Sequence, residues 1–343
     1  MPERIPFVSV IIPTYNRADF VVQAVKSVLG QTFIDYEIMV VDDGSTDTTR
    51  EQLSPFRKRI NYIWQRNRGA AAARNVGILR TRGEWVAFLN SDDEWMPAKL
   101  AIQVRNMAQH PEACLHTADA LLIDDNGNHP ALSLLRMSGI APRRLRGSLL
   151  DPPANLRLQL RAGIARISAM IVRRETLQHA GLFDERLQFY EDQDLACRLA
   201  LEGRWMISDM PLVRIHRRNP DKQNLARQRL SEALRSFQIL VQIYERLLAN
   251  QKLPPAGQHL VINKLNKCRA GLGMELIKAD NIIEARAILR QCIFSHPTPD
   301  TFCRYLISLS SPSLARWLVH TWQGFRCRFW ISADGGGTWK TTA

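Results

Sequence analysis

Residues 7–43 read FVSVIIPTYNRADFVVQAVKSVLGQTFIDYEIMVVDD, and this stretch decides the fold. Phe7-Val8-Ser9-Val10-Ile11-Ile12 and Glu37-Ile38-Met39-Val40-Val41 are apolar runs of strand length, each followed by polar turn residues. Between them Phe20, Val21, Ala24, Val25, Val28 and Leu29 recur at helical spacing. The unit is strand-helix-strand, which requires a parallel pair and a right-handed crossover. A third run, Trp85-Val86-Ala87-Phe88-Leu89, leads into the acidic turn Asn90-Ser91-Asp92-Asp93. In open α/β sheets ligands bind beyond the carboxyl ends of the strands, and all three runs place their polar residues there. The expected fold is α/β, with a Rossmann-like, mostly parallel sheet and the functional site at that edge.

Downstream of residue 225 the texture changes. Leu230, Leu234, Phe237, Val241, Tyr244 and Leu248 step by three and four, the pattern of one amphipathic helix face. Leu260 to Ala279 and Ile282 to Ile293 read as two further helices turning at Asp280-Asn281. A chain of 343 residues accommodates two units. The expected layout is a catalytic domain over 1–221, a smaller α-helical region over 222–331, and a Gly-rich, disordered tail over 332–343. No apolar run reaches the roughly 18 residues of a membrane span, and the N-terminus Met1-Pro2-Glu3-Arg4 does not open a signal peptide. The six cysteines have no C-x-x-C spacing, which excludes a zinc cluster or a disulfide framework and points to a reducing cytoplasm.

The strand ends hold the residues with chemistry. Pro13-Thr14-Tyr15-Asn16-Arg17 offers a ring for stacking and a cation, in a segment that also reads as a plain turn. Asp42-Asp43-Gly44-Ser45-Thr46-Asp47 offers a carboxylate for a base or ribose, although helix capping accounts for the same residue types. Pro13 to Asp19 contains no glycine, which removes the dehydrogenase-type dinucleotide fold. Arg74, two turns into the helix that begins Arg68-Gly69-Ala70-Ala71, can reach a phosphate or base; close packing of an Ala-rich helix explains the small residues equally. Adjacent Asp92 and Asp93 repel unless a cation or proton lies between them, and Mg2+ or Mn2+ shared with substrate phosphates is the usual remedy. Glu191, Asp192 and Asp194 stand at the start of a predicted helix, where the helix dipole alone favours them. His216, among Arg214, Arg217 and Arg218, carries no local signal of ligation.

Taken in order, VSVIIPTYNR, YEIMVVDDGSTD, NRGAAAARN, GEWVAFLNSDDEWMPAKL and FDERLQFYEDQDLACRL resemble the inverting glycosyltransferases of family two, over about residues 5 to 220. The resemblance implies a GT-A catalytic domain that transfers a sugar from a nucleotide donor, UDP-linked by expectation, to an acceptor hydroxyl with inversion. It places Pro13, Thr14, Tyr15, Asp43 and Arg74 around the nucleotide, Asp92 beside the ribose or metal, and Asp93 on the metal. Asp192 becomes the base with Glu191 as its neighbour, and His216 an additional metal ligand. The family often has Asp where this chain has Asn90. Assembly of cell-surface polysaccharide or glycolipid is the expected setting. A retaining transferase and a non-catalytic nucleotide-sugar-binding protein are the alternatives; a nucleotidyltransferase would need a Gly-rich phosphate loop that the first strand end lacks.

Net charge is +13, and residues 222–343 hold 17 basic against seven acidic side chains. Trp317, Trp322, Phe325, Phe329 and Trp330 interleave there with Arg316, Arg326 and Arg328. This combination suits contact with an anionic membrane face, which would bring the enzyme to a carbohydrate or lipid-linked acceptor at the inner side of the membrane. No nucleic-acid recognition motif accompanies the charge.

Overall fold

The computed structural model describes residues 5–123, 133–145, 147–216, 225–295 and 297–329. The chain forms two compact units, Met1–Asn219 and Pro220–Ala343. The first contains, in order, β1 (Val8–Thr14), α1 (Ala18–Leu29), β2 (Tyr36–Asp42), α2 (Thr49–Leu53), β3 (Asn61–Trp64), α3 (Ala70–Arg80), β4 (Trp85–Phe88), β5 (Glu94–Trp95) and α4 (Lys99–Gln109). It continues with β6 (Ala113–Ile123), α5 (Leu134–Met137), β7 (Ser148–Leu150), α6 (Ala154–Ala162), β8 (Ile171–Arg173), α7 (Arg174–His179), α8 (Glu191–Leu199) and β9 (Arg204–His216).

All nine strands join one sheet in the order β3-β2-β1-β4-β8-β6-β9-β5, with β7 paired to β9. The parallel half is β3-β2-β1-β4, in which β1, β2 and β4 are the three expected runs and β3 is an addition. Beyond β4 the sheet is mixed: β8 runs antiparallel to both β4 and β6, while β6 and β9 are parallel. This polarity gathers the site. The carboxyl ends of β1, β2, β4, β6 and β9 share one edge, and the reversed β8 brings its amino end to the same edge.

Every residue of β1 is buried, because helices cover both faces of the strand. Successive side chains alternate. Val8, Val10 and Ile12 pack with Val21, Ala24, Val25 and Val28 of α1 in one core cluster. Ile11 points the other way, against α3, where a Cβ on Gly77 would lie 2.5 Å from Ile11 Cγ2. Only glycine at position 77 lets α3 approach this closely.

The second unit is helical: α9 (Leu225–Leu248), α10 (Pro255–Lys278), α11 (Ile282–Ser295), α12 (Pro299–Leu309) and α13 (Pro312–Phe329). The turn at Asp280 adopts φ +66°, and the amides of Asp280 and Asn281 close back on Ile277 and Leu276, so α10 and α11 form a hairpin. Its core combines Leu272, Ile277, Ala285, Leu289, Ile307 and Val319. The tail expected over 332–343 and the ring of Trp330 lie outside the described residues, as do the side chains of Trp322, Phe325 and Phe329.

Candidate active site

The end of β1 and the loop after β2 are stitched together before any ligand arrives. Thr14 pairs with Asp42 across the ladder, and Asp43 N donates to Thr14 O at 2.8 Å. Pro13 pairs with Val41, and the Tyr15 ring stands 47% exposed beyond it. The Thr14 hydroxyl is buried without a hydrogen-bond partner among the described residues. Asp42 accepts from Ser45 N (2.8 Å) and the Tyr62 hydroxyl (2.6 Å). Asp47 accepts from Ala18 N and Thr49 N, at the starts of α1 and α2.

Asp43 is more deeply engaged than its sequence position suggests. It is 3% exposed, and its Oδ1 accepts from Gln65 Nε2 (2.6 Å) and Arg68 N (3.0 Å). Its Oδ2 accepts from Gly69 N at 2.7 Å. The carboxylate therefore fastens the start of α3 from outside the helix, where the dipole favours negative charge. Of its roughly four acceptor positions, three are used.

Asp92 and Asp93 occupy the turn after β4 as expected, and they face different environments. Asp92 is partly exposed and ion-paired with Arg17. Asp93 is 3% exposed; its Oδ2 accepts from Ser168 Oγ (2.5 Å) and Asn90 Nδ2 (3.3 Å), and its Oδ1 from His216 N (3.3 Å). Burial pushes its carboxyl up to about 7; the Ser168 hydrogen bond opposes this and the charge of Asp92 adds to it. Ser168 is itself fixed, accepting from Asn90 N through Oγ and from Trp95 Nε1 through its carbonyl. The Trp95 ring in turn lies 3.8 Å from Lys99 Nζ.

His216 reaches Asp93 through its backbone, while its imidazole Nε2 stands 3.3 Å from Glu94 Oε1. That nitrogen is buried with no hydrogen-bond partner among the described residues. Among the described residues no three His, Cys, Asp or Glu side chains form a ready metal cage. The residues nonetheless fit a divalent ion of the Mg2+ or Mn2+ type. Two adjacent carboxylates, one with its pKa raised by burial, supply the one or two protein oxygens that such ions combine with substrate phosphates.

Glu191 and Asp192 open α8, directly after Tyr190, whose backbone is left-handed at φ +63°. Asp192 accepts from Gln193 N at 2.8 Å, its one hydrogen bond among the described residues. Its carboxyl is raised by burial and by the neighbouring Glu191 charge, against the opposing pull of Arg74 and Arg166. A carboxylate so placed is a better proton acceptor than an exposed one. Glu191 instead binds Arg74 Nη1 at 2.7 Å, and Arg74 Nη2 donates to Asn90 Oδ1 at 2.9 Å. Arg74, whose side chain is 6% exposed, thus points inward between the start of α8 and the acidic turn, its guanidinium 5.3 Å from the Phe183 ring centroid. The next residue, Asn75, holds Phe183 N and O.

The structure brings Arg74, Asn90, Asp93 and Glu191 into one hydrogen-bonded group, joined to His216 by its backbone. Asp43 lies at the opposite end of α3's first two turns. Ser168, which hydrogen-bonds Asp93, is a member of this cluster that the sequence does not mark. Ser168 lies 75 positions from Asp93 in an unremarkable apolar segment, so nothing local marks it.

Comparison with known proteins agrees with this geometry. Residues 9–159 match the family described as Glycosyl transferase family 2. A Bacillus subtilis glycosyltransferase assigned to teichuronic acid biosynthesis, TuaG, is 42% identical over 124 residues, 35% of this chain and 49% of the relative. An uncharacterized glycosyltransferase of Rickettsia felis is 45% identical over 113 residues, 32% of this chain and 19% of the relative. Chondroitin synthase of Escherichia coli is 35% identical over 130 residues, covering 37% and 19% respectively. The chain thus spans between a fifth and a half of these relatives' lengths. Among solved structures, S. aureus TarS 1–349 in complex with UDP-GlcNAc superposes with a TM-score of 0.63 at 19% identity, covering 93% of this chain and 92% of that one. The Pyrobaculum calidifontis mannosyltransferase PcManGT, in complex with GDP-Man and Mn2+, gives 0.55 at 19% identity, covering 95% and 85%. At these identities the superpositions establish the GT-A-like fold. Over residues 9–159, a little under half of its length, the chain is therefore similar to glycosyl transferase family 2.

Proposed function

We propose that this chain transfers a sugar from a nucleotide donor, UDP-linked by preference, to an acceptor hydroxyl with inversion, in the assembly of a cell-surface polysaccharide or glycolipid. One observation carries the reading: at one sheet edge Arg74 joins Asn90 of the acidic turn to Glu191, the neighbour of Asp192, whose carboxyl is raised by burial. Asp192 takes the proton of the acceptor hydroxyl. The acceptor oxygen bonds to the anomeric carbon as the bond from that carbon to the diphosphate breaks, and the nucleoside diphosphate leaves with the electron pair. A single displacement inverts the configuration. Asp93 and Asp92 would hold Mn2+ or Mg2+, with His216 a further ligand if its imidazole turns from Glu94. When bound, the ion neutralises charge on the departing diphosphate. Pro13, Thr14, Tyr15 and Asp43 frame the nucleotide.

UDP-GlcNAc bound to TarS and the envelope-related names of TuaG and chondroitin synthase support the donor class and setting. The decisive experiment assays nucleoside diphosphate release from a panel of UDP-sugars with Mn2+, with and without EDTA, and determines the product anomer by NMR. Release that survives exhaustive chelation refutes the metal; a retained anomer refutes inversion; donor binding without turnover in any acceptor mixture leaves a non-catalytic binder.

Membrane contact belongs to the same reading. No described helix is long and apolar enough to cross a bilayer. Phe302, Leu306 and Leu309 form an exposed stripe along α12, and Trp317 of α13 is 61% exposed in a region of positive charge. Flotation with anionic liposomes should carry the full chain and leave a truncation at Ser311 behind; equal behaviour of the two removes the contact.

A further inference from the structure

Asn90 stands where the resemblance leads one to expect Asp, and its amide is used at both ends. Its Oδ1 accepts from Arg74 Nη2 at 2.9 Å, while its Nδ2 donates to Asp93 Oδ2 at 3.3 Å. A carboxamide accepts and donates at once; a carboxylate of the same shape accepts from Arg74 but turns a bare oxygen toward Asp93. Arg74 cannot swing to compensate. It is held by Glu191 at 2.7 Å, stacked near Phe183, and anchored on a helix pressed against β1 at Gly77.

We propose that Asn90 is a positioning residue that ties Asp93 to the Arg74–Glu191 ion pair, so that the cation end and the base end of the site are set as one unit. The proposal rests on the functional reading above for the identity of the two ends. The tie itself is geometric: Glu191 accepts from Arg74, Arg74 donates to Asn90, and Asn90 donates to Asp93, a relay that joins the two carboxylates through two side chains. Loss of the Glu191 charge leaves the buried guanidinium without its counter-ion, and Asn90 is its link to the Asp93 carboxylate. With Asn in place the turn carries two carboxylates; with Asp it would carry three side by side, around a buried Asp93.

The test is a double-mutant cycle on Asn90→Ala and Glu191→Gln, read in two ways. The first readout is Mn2+ affinity in the presence of saturating UDP, by electron paramagnetic resonance of free Mn2+. Glu191→Gln should weaken Mn2+ binding about fivefold in the parent background and less than twofold in Asn90→Ala. The second is urea unfolding in EDTA, where the two substitutions should also be non-additive, because both act on Arg74. Additivity in both readouts overturns the tie. Coupling in EDTA with no Mn2+ binding by the parent overturns the link to a cation end, and with it the metal reading, while the Arg74 contacts stand. Coupling in EDTA alongside parent Mn2+ binding that ignores Glu191 confines the role of Asn90 to stability and overturns the proposal.

Discussion

Asp43→Ala should unfold the protein more readily before it says anything about nucleotide recognition. The side chain accepts three hydrogen bonds from Gln65 Nε2, Arg68 N and Gly69 N, and it is 3% exposed. Hydrogen bonds to a charged group contribute about 1.5–3 kcal/mol each, and a stranded buried donor costs about 1–3 kcal/mol. Water can reach part of the vacated space, so the three losses do not add in full; about 3–5 kcal/mol is expected, a large fraction of a typical total of about 5–15 kcal/mol. Asp43→Asn keeps the acceptor for Gln65 and Arg68 but turns an amide N–H toward Gly69 N, and should cost about half as much. Urea unfolding in nucleotide-free buffer, followed by tryptophan fluorescence, gives both values. An Asp43→Ala variant within about 0.5 kcal/mol of the parent would refute the strut and leave Asp43 as a ligand residue alone. Calorimetry with UDP, GDP and dTDP on the Asn variant then tests recognition separately: a pyrimidine preference that disappears there, with the fold intact, supports contact between Asp43 and the base N–H.

Asp192→Asn should lower turnover about 10²–10⁴-fold with donor affinity nearly unchanged, and Glu191→Gln should lower it less; lost affinity at full maximal rate would remove the base role from Asp192. His116 is 1% exposed, and burial, then the charges of His110 and Arg173, hold it down to about 3. Below about pH 6.5 the unfolded chain takes up a proton that the native imidazole refuses, so this contribution is complete above 6.5 and is lost as pH falls toward 3. Near pH 5 the loss should be about 2 kcal/mol, and His116→Met should flatten the unfolding profile between pH 6.5 and 4; an unchanged slope refutes the assignment. Gly77→Ala places a methyl 2.5 Å from Ile11 Cγ2, and an overpacking cost of about 1–3 kcal/mol should outweigh the roughly 1 kcal/mol gained in helix propensity. A higher melting temperature in that variant would contradict the close approach of α3 to β1.

The parallel half of the sheet was readable because β1, β2 and β4 are nearly uninterrupted apolar runs that stop at polar turns. The other half hides its strands. β6 carries buried His116, Thr117 and Asp119 inside its run, and its ladder with β9 shifts register around Asp119, opposite Pro211. Alternation fails at such irregularities, so neither strand announces itself. The acidic turn and the Glu191–Asp192 pair were visible as local composition. Their partners were not: Glu191 meets Arg74 across 117 positions, and a pairing at that separation is set by the fold. Arg74 shows the consequence, since the sequence marks it as a cation near a strand end but not the counter-charge at Glu191 that the fold brings to it.

The buried alanines of α3 bear on the cost of ligand capture. Ala71, Ala72 and Ala73 have no rotamers to lose, so the helix that presents Arg74 is ordered at almost no side-chain entropy. The freedom of Arg74 itself, on the order of 2 kcal/mol for a long charged side chain, is surrendered when Glu191 and Asn90 grip it during folding. If, as proposed, the nucleotide donor binds at this edge of the sheet, it meets an Arg74 already immobilised, and the binding step bears none of that side chain's ordering entropy.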